Sequence, residues 1–515
     1  MSFKHEIIKQ LSLRTQEVYK SAKLISSEET SSGLYCDFDL PEPLNPSGFQ
    51  AIKDAFQAPD SPCVYEISSF SGVYKDGDQN APMLQRIYVT AFENKEAFEK
   101  HREFLLAAAE SDHKKISEQL SLFSTSEEVG QGLILWHPKG AMIRLMLEQF
   151  AQRMNILNGY EWVISPHIGK AALWEQSGHL SNFADAMYNP ITIDDEKYYL
   201  KPMNCPFHIL IFNSRLRSYR DLPVRYAEYG TVYRYELSGT LNGLTRVRGF
   251  TQDDAHIICT PEQIEKELKD TLRLSLYTLA SFGLTDYKIY VSTKPSSKAI
   301  GSEQNWETAT ALLKQAVLSL GLPFDIDEGG GAFYGPKIDI KLFDSLKREW
   351  QCSTIQFDFN LPGRFNMAYT GPDGSEHVPY MVHRALFGSI ERFVALLIEH
   401  YKGDFPLWFA PVQIGIVPIR QEHNAYCLKL LSELQDKGLR IEINPEDLNM
   451  REKIKRFTQQ KVPYILLAGD LDIAEDAFTV RSRQGQNLGQ MSIEQFLRHL
   501  EPELIKGEAR RVSGG

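Results

Sequence analysis

The stretch YRYELSGTLNGLTRVRGFTQDDAH, residues 233–256, decides how this chain is interpreted. Two segments with strand-like composition flank the loop LSGTLNGL, whose glycine, serine, threonine and asparagine residues favour turns. Arg234 precedes the loop, Arg246 follows it, and Arg392 comes later in GSIERF, residues 388–393. Guanidinium groups make bidentate, charge-assisted bonds to phosphate, although a single arginine more often forms a surface ion pair. Together, the three arginines predict a phosphate site on paired strands.

The usual glycine-rich nucleotide motifs are missing from the sequence. GGGAFYG, residues 329–335, is rich in glycine but lacks the following Lys-Ser/Thr pair that holds phosphate and magnesium. It favours a tight turn or a close backbone approach to a ligand. If ATP binds, we therefore expect arginines on an antiparallel sheet to bind it.

The order of the predicted elements indicates an α+β protein of more than one domain. A chain of 515 residues is too long for one hydrophobic core. Between residues 121 and 404, long strands joined by hairpin-length loops predict an antiparallel sheet, with helices at 138–158, 261–282, 303–320 and 384–401. From residue 405, strands and helices alternate, which predicts a small α/β domain over 405–515. Residues 1–120 form the remaining segment, which ends in a long polar helix predicted over 93–120.

Composition places the chain among globular, membrane-free proteins of a reducing compartment. No stretch approaches the roughly 18 apolar residues of a membrane span, and the N-terminus has no apolar signal region. The 6 cysteines have no paired spacing, which favours the cytoplasm over a disulfide framework. The net charge of -11 argues mildly against a nucleic-acid partner unless basic patches are present locally.

Residues 234–256 resemble motif 2 of class II aminoacyl-tRNA synthetases, in the form found in threonyl-tRNA synthetases. ISPHI, residues 164–168, resembles motif 1, which forms the dimer interface in that class. Other segments similar to the threonyl enzymes are WHPKG (136–140), KPMNCP (201–206), FYGPKIDI (333–340), EWQCSTIQFDF (349–359) and HRALFGSIERF (383–393). The similarity is strong over residues 86–411 and weak at both ends. It implies a class II catalytic domain at 121–404, followed by an anticodon-binding-like domain at 405–515.

The resemblance implies an ATP site made of charged and aromatic side chains. Arg234 would contact the α-phosphate, Glu236 the adenine amino group, and Phe250 would stack on adenine. Arg246 and Arg392 would hold the γ-phosphate end and the adenine face. Further residues assigned to phosphate and ribose are Lys337, Gln351 and Thr354. The implied catalytic residues are Arg234, Lys337, Arg392 and His179.

His179, in SGHL, matches a histidine associated with the ribose hydroxyl of the tRNA end. Mg²⁺ is expected to bridge the phosphates of ATP. The implied partners are L-threonine, ATP and tRNA, with a homodimer as the assembly and no membrane partner.

The resemblance also implies one zinc ion per subunit, bound by Cys205, His256 and His383. No local spacing reveals this set, because the three residues lie on separate segments, and each alone would be an ordinary core cysteine or a surface histidine. One thiolate and two imidazoles leave the fourth tetrahedral position open for substrate. A zinc ion that binds both the amino group and the β-hydroxyl of threonine would reject the nearly isosteric valine. Residues implied to complete the amino-acid pocket are Met203, Gln252, Asp254 and Tyr334.

The N-terminal segment predicts an enzyme without editing. Zinc cannot exclude serine, and the family usually adds a hydrolytic site with H-x-x-x-H and C-x-x-x-H elements. Neither element occurs ahead of residue 100. We therefore expect residues 1–120 to be a remnant of the editing region plus a connector helix, without the ubiquitin-like domain of the family.

Several positions depart from the family pattern. Phe207 stands where the family has glycine in N-C-P-G-H, and Tyr235 and Leu237 replace asparagine and proline of motif 2. NPEDLNMR, residues 444–451, diverges from the anticodon-contacting pattern of the family. Lys461 and Arg481 are the residues that the resemblance assigns to tRNA.

Three functions remain open from the sequence. The first is a threonyl-tRNA synthetase without editing in cis. The second is an enzyme that forms threonyl-adenylate but loads another acceptor, such as a carrier protein. The third is a non-catalytic regulatory paralogue, against which the retained arginines and metal-binding residues argue.

Overall fold

The computed structural model describes residues 3–30, 33–56, 64–74, 83–296 and 299–512. The chain forms two compact units, Met1–Ala109 and Glu110–Gly515. None of the helices in the described ranges combines the length and the apolar character that a bilayer crossing requires.

The N-terminal unit is built on a four-stranded antiparallel sheet in the order β1-β2-β4-β3. Its elements are α1 (Phe3–Val18), β1 (Lys23–Thr30), β2 (Gly33–Asp39), α2 (Pro46–Ala55), β3 (Val64–Tyr74), β4 (Met83–Phe92) and α3 (Lys95–Glu110). The core between sheet and helices contains Ile7, Leu11, Phe38, Ile52 and Ile87.

The single helix predicted over 93–120 is wrong, because two helices occupy this stretch. α3 ends at Glu110, and α4 (His113–Leu120) begins anew after Ser111 and Asp112. The Asp112 carboxylate accepts a hydrogen bond from the Lys114 amide, so Asp112 acts as the N-cap of α4.

The larger unit contains an eight-stranded sheet in the order β14-β13-β15-β16-β19-β12-β11-β7. It is antiparallel except at its two edges, where β7 pairs with β11 and β14 with β13 in parallel. Its strands are β7 (Glu161–Trp162), β11 (Val224–Tyr233), β12 (Gly249–Cys259), β13 (Tyr287–Ser292), β14 (Asp325–Asp327), β15 (Lys337–Phe343), β16 (Glu349–Asp358) and β19 (Tyr380–Ser389). The antiparallel sheet predicted from the sequence is confirmed.

Helices and small sheets cover this main sheet. The helices are α5 (Pro138–Leu157), α6 (Ala171–Ser177), α7 (His179–Asn182), α8 (Cys205–Asn213), α9 (Ile264–Ser281), α10 (Glu303–Ser319), α11 (Leu361–Arg364) and α12 (Ile390–Tyr401). The additional strands are β5 (Phe123–Ser124), β6 (Leu135–Trp136), β8 (Ile168–Lys170), β9 (Ile191–Ile193), β10 (Glu196–Leu200), β17 (Tyr369–Thr370) and β18 (Glu376–His377). The largest hydrophobic core lies between the sheet and α5, α9, α10 and α12.

The helix predicted over 384–401 begins six residues later than expected. Residues up to Ser389 continue strand β19, and α12 starts at Ile390. The Ser389 hydroxyl accepts a hydrogen bond from the Arg392 amide and caps the helix. Gly388, with φ of 77°, turns the chain between the two elements. His383 therefore lies on a strand, whereas Arg392 lies in the first turn of a helix.

The C-terminal part of the larger unit is the predicted α/β domain. Its elements are β20 (Ile414–Pro418), α13 (Asn424–Gln435), β21 (Ile441–Ile443), α14 (Met450–Gln459), β22 (Tyr464–Ala468), α15 (Asp470–Ala474), β23 (Phe478–Ser482), β24 (Asn487–Met491) and α16 (Ile493–Leu504). The sheet order is β21-β20-β22-β23-β24, parallel over the first three strands and antiparallel after them.

Short 3₁₀ helices lie at Ala184–Ala186, Tyr219–Asp221, Ser238–Thr240, Leu407–Phe409, Gln421–His423 and Ile505–Gly507.

The described cysteines are free thiols, each buried in a core. They are Cys36, Cys205, Cys259, Cys352 and Cys427. The remaining cysteine, Cys63, lies outside the described residues.

Candidate active site

A cavity of about 350 Å³ opens on the central strands of the eight-stranded sheet. Strands β12, β16 and β19 are neighbours there, so side chains from separate parts of the sequence meet on one face. The predicted site residues that line it are Met203, Cys205, Arg234, Phe250, Gln252, Asp254, Tyr334, Gln351, Thr354, His383 and Arg392. The cavity is thus shared by residues predicted to bind ATP and residues predicted to bind an amino acid and a metal ion.

The three predicted metal-binding residues lie together: Cys205 and His383 line this cavity, and His256, which does not line it, is next to both. Cys205 begins helix α8, while His256 on β12 and His383 on β19 are directly paired across the sheet. Their ligand atoms all lie within 4.8 Å of one another, and His256 Nε2 is 2.9 Å from His383 Nδ1. All three residues are buried. One thiol and two imidazoles at such distances fit a tetrahedral Zn²⁺ site with an open position.

A carboxylate fixes the orientation of one of these imidazoles. Asp358 Oδ2 lies 2.8 Å from His383 Nε2, and Asp358 Oδ1 accepts hydrogen bonds from the amides of Asn360 and Leu361. Because Nε2 faces the carboxylate, Nδ1 of His383 faces the cluster. A carboxylate on the far nitrogen is the usual partner of a metal-binding histidine.

The electrostatics of the cluster couple metal binding to proton release. Burial acts to lower the pKa of His383, but Cys205 and Asp358 outweigh it and raise that pKa to about 10. Burial lowers the pKa of His256 well below its usual value, in the same direction as the nearby His383 and His208. Zinc ligands must be deprotonated, so a zinc ion bound here would displace a proton from this cluster.

The amino-acid side of the cavity is lined by polar groups that are already hydrogen-bonded. Asp254 Oδ2 accepts a hydrogen bond of 2.9 Å from Asn204 Nδ2. The Tyr334 hydroxyl donates to Gln356 Oε1 at 2.8 Å, and the Tyr334 ring lies 5.1 Å from the His383 ring between centroids. These contacts fix the side chains in place before any ligand arrives, which favours precise recognition.

Gly230 leaves the space that the Asn204 side chain needs. Gly230 is paired with Gln252 across β11 and β12, and a Cβ atom at residue 230 would lie 2.2 Å from Asn204 Nδ2. Gly230→Ala is therefore expected to push Asn204 off Asp254, raise the KM for the amino acid and destabilise the fold by about 1–3 kcal/mol. Amino-acid KM values and thermal unfolding would measure both effects.

Gly363→Ala is the matched control for this change. A Cβ at residue 363 meets no atom within 4 Å. The explanation fails if both alanine variants keep the KM and the melting temperature of the parent protein.

Two of the predicted phosphate-binding arginines line the cavity. Arg234 lies between two aromatic rings, 5.2 Å from the Phe250 centroid and 5.4 Å from that of Phe183. Arg392 donates to the backbone carbonyls of Thr245 and Gln351, at 3.0 and 2.9 Å. Both guanidinium groups are thus oriented by the protein, as bidentate phosphate binding requires.

The third arginine lies in the loop between β11 and β12. Arg246 Nε is 3.1 Å from Glu236 Oε2, so two residues predicted for ATP form an ion pair outside the cavity lining. Arg246 is 47% exposed, which leaves it room to change partners when a nucleotide binds.

Asp339 organises the other predicted ATP-binding residues, and the sequence did not single it out. Its carboxylate lies 2.6 Å from Lys337 Nζ and accepts hydrogen bonds from Gln351 Nε2 at 2.7 Å and Thr354 Oγ1 at 3.0 Å. Asp339 is 1% exposed, on β15 between two buried isoleucines. An acidic residue inside an apolar strand, IDI at 338–340, was the signal that could have revealed it.

His179 is enclosed beside the cavity and is not part of its lining. Its Nε2 lies 3.0 Å from Met203 Sδ, and its Nδ1 lies 2.7 Å from the Ser177 hydroxyl. Burial, reinforced by the charge of Arg234, lowers the pKa of His179 to about 3. The imidazole is therefore neutral at physiological pH, and its role toward the ribose hydroxyl stays a prediction.

The residues predicted for tRNA lie in the C-terminal α/β domain and do not line the cavity. Lys461 follows α14, with its Nζ 3.5 Å from Asp404 Oδ2. Arg481 lies on β23 and donates to the Gly485 carbonyl. Their role in binding tRNA stays a prediction.

Comparisons with known proteins agree with this architecture. Residues 188–401 match the tRNA synthetase class II core domain family (G, H, P, S and T), and residues 413–502 match the anticodon binding domain family. A threonine–tRNA ligase of Borrelia turicatae is 47% identical over 449 residues, which cover 87% of this chain and 77% of that protein. A threonine–tRNA ligase of Borreliella burgdorferi is 42% identical over 506 residues, which cover 97% of this chain and 86% of that protein.

A solved structure supports the same assignment. A crystal structure described as the RNA binding domain of threonyl-tRNA synthetase from Cryptosporidium parvum has a TM-score of 0.73 and 34% identity, covering 78% of this chain and 99% of that one. The resemblance found in the motifs is thereby confirmed. The chain belongs to the threonine–tRNA ligase family of class II tRNA synthetases.

Proposed function

We propose that the protein activates L-threonine with ATP and transfers the threonyl group to the 3′ end of threonine tRNA. The observation that supports this is a single cavity that Cys205 and His383, two members of the metal-binding cluster, share with Arg234 and Arg392. Such an arrangement places an amino acid beside the phosphates of a nucleotide.

The first step is an in-line displacement at phosphorus. A carboxylate oxygen of threonine bonds to the α-phosphorus of ATP, and the bond to the leaving pyrophosphate breaks. Arg234 would stabilise the charge that develops at the α-phosphate, while Arg246 and Arg392 would hold the γ-phosphate end and the adenine face. Mg²⁺ accompanies ATP and neutralises part of the phosphate charge.

The second step transfers the threonyl group to tRNA. A ribose hydroxyl of the tRNA end attacks the carbonyl carbon of threonyl-adenylate, and AMP leaves. We assign His179 to the vicinity of that hydroxyl. Lys461 and Arg481 are proposed to contact the tRNA body through the C-terminal domain.

Selection of the amino acid is proposed to rest on the metal-binding cluster. Cys205, His256 and His383 would hold a zinc ion, and binding of both the amino group and the β-hydroxyl of threonine would require it to accept five ligands instead of four. Gln252, Asp254 and Tyr334 would form further hydrogen bonds to the amino acid, and Met203 would line one side of the pocket. A purely apolar pocket separates a methyl group from a hydroxyl only about a hundredfold, whereas a site built for the hydroxyl reaches about 10⁴-fold.

Threonine-dependent ATP–pyrophosphate exchange, followed by charging of threonine tRNA, tests this function. Exchange and charging together are the expected result. Exchange without charging would favour the alternative enzyme that loads a carrier protein, and absence of both would favour a non-catalytic paralogue. The divergence of residues 444–451 from the family's anticodon-contacting pattern is the feature that keeps the carrier alternative open.

We further propose that this chain does not hydrolyse seryl-tRNA. Residues 1–100 contain neither H-x-x-x-H nor C-x-x-x-H, so they lack the side chains of the family's hydrolytic site. We propose residues 1–120 as the editing remnant with its connector, 121–404 as the catalytic domain and 405–515 as the anticodon-binding-like domain. Rapid deacylation of seryl-tRNA by the purified chain would contradict the first of these proposals.

The proposed assembly is a homodimer formed through the motif 1 segment, acting in the cytoplasm. Ile164, which begins that segment, is 84% exposed in the single chain. Single exposed apolar side chains are common on monomers, so the support for the dimer is the resemblance of this segment to motif 1. The described cysteines are free thiols, as a reducing compartment requires.

A further inference from the structure

His256 is also in contact with a series of buried polar side chains that do not line the cavity. His208 lies one turn after Cys205 on α8 and is 0% exposed. Its Nδ1 lies 2.7 Å from Nδ1 of His256. His256 thus has one ring nitrogen toward the metal-binding cluster and the other toward a second histidine.

Glu228 is the next buried polar residue after His208. Glu228 Oε1 lies 3.2 Å from His208 Nε2, within ion-pair distance but outside hydrogen-bond geometry, and Nε2 makes no hydrogen bond within the described part of the chain. The carboxylate also accepts hydrogen bonds from the Ser165 amide at 2.8 Å and the Ser165 hydroxyl at 2.7 Å. Burial raises the pKa of Glu228, but its contacts with His208, Lys201 and Ser165 outweigh burial and lower it. Glu228 is therefore ionised and acts only as an acceptor.

The positions of the protons follow from this acceptor. Because Glu228 is the carboxylate nearest to His208 Nε2, this arrangement favours the tautomer with the proton on Nε2, which leaves Nδ1 of His208 as the acceptor toward His256. The two Nδ1 atoms are 2.7 Å apart, so only one of them carries a proton. Because Nδ1 of His208 is the acceptor, that proton is on Nδ1 of His256. His256 Nε2 is left with a free lone pair toward Cys205 and His383.

We infer that Glu228, acting through His208, sets the tautomer and orientation of His256 as a metal ligand. This inference rests on the proposed zinc site. The two histidine ligands are then oriented in different ways: His383 by direct contact with Asp358, and His256 through an intervening histidine. His208 and Glu228 are positioning residues, and they control metal affinity without touching the ion.

Three substitutions at residue 208 test the inference. His208→Phe removes the acceptor for His256 and is expected to weaken zinc binding 10- to 100-fold, as for other outer partners of metal ligands. His208→Asn places its amide oxygen near the former Nδ1 and is expected to keep most of the affinity. His208→Gln places its amide near the former Nε2, away from His256, and is expected to lose affinity as His208→Phe does. Glu228→Gln should weaken zinc binding in the same direction.

Zinc affinity would be measured on the full-length metal-free protein by competition with a chromogenic chelator. The visible spectrum of the Co²⁺-substituted protein gives a second reading, since its ligand-field bands report ligand orientation. Equal affinities and spectra for the parent, His208→Asn and His208→Gln would overturn the inference. So would equal losses in the asparagine and glutamine variants, which would indicate general damage to the core. Failure of the parent protein to bind zinc would instead contradict the proposed metal site itself.

Discussion

Cys205→Ala is expected to lose zinc and, with it, the discrimination between threonine and valine. Cys205 provides the thiolate of the cluster, and a site with only His256 and His383 keeps two ligands of three. Without the ion, the pocket distinguishes threonine from valine only through contacts with the hydroxyl or methyl group in which they differ. Such contacts change kcat/KM by about a hundredfold. We therefore expect the ratio of kcat/KM for threonine over valine to fall from about 10⁴ or more to about 10². Amino-acid-dependent pyrophosphate exchange and metal analysis would measure the two losses together.

Cys259→Ala is the control for this prediction. Cys259 lies on the same strand as His256 and is 0% exposed, but its side chain does not line the cavity. This variant should lose some stability through the small void it creates, while zinc content and selectivity stay at the parent level. Unchanged zinc in Cys205→Ala would remove the cysteine from the ligand set.

Arg234→Lys is expected to reduce kcat for threonyl-adenylate formation by about 10²- to 10³-fold. Lysine keeps the positive charge but loses the planar fork that lies between the rings of Phe250 and Phe183. The loss should appear mainly in kcat, because the arginine is proposed to act on charge that develops at the α-phosphate in the transition state. Steady-state exchange at varied ATP separates kcat from KM.

Arg220→Lys provides the comparison. Arg220 is an exposed residue whose guanidinium lies near its neighbour Tyr219, outside the cavity lining. The Arg220→Lys variant should catalyse ATP–pyrophosphate exchange at the parent rate. A kcat for Arg234→Lys within a fewfold of the parent would contradict the assignment of Arg234 to the α-phosphate.

The local sequence pattern was sufficient to predict the hairpin that contains Arg234 and to predict the fold class. Strands β11 and β12 pair from Val224↔Ile258 to Tyr233↔Gly249, with the predicted turn-rich loop between them. The helix boundary near residue 390 was not predictable in the same way. An apolar run such as YMVHRALF fits a buried strand or a buried helix, and only the pairing of β19 with β12 and β16 decides between them.

The metal-binding cluster depends on tertiary structure, and spacing along the chain does not indicate it. Cys205, His256 and His383 are brought together because β12 and β19 are adjacent in the sheet and α8 begins beside them. Their resemblance to family positions predicted the set, whereas periodicity did not. Asp339 and Glu228 were missed for a related reason. A buried acid on a strand has meaning only once its partners are known.

Diffraction at the zinc absorption edge, from crystals soaked with threonine and a non-hydrolysable ATP analogue, tests the central claim most directly. We predict one anomalous peak per chain, about 2.3 Å from Cys205 Sγ and about 2.0–2.1 Å from His256 Nε2 and His383 Nδ1. The threonine amino and hydroxyl groups should complete the coordination, with the analogue's phosphates beside Arg234 and Arg392. Threonine bound in this cavity with no anomalous peak among the three side chains would contradict the account.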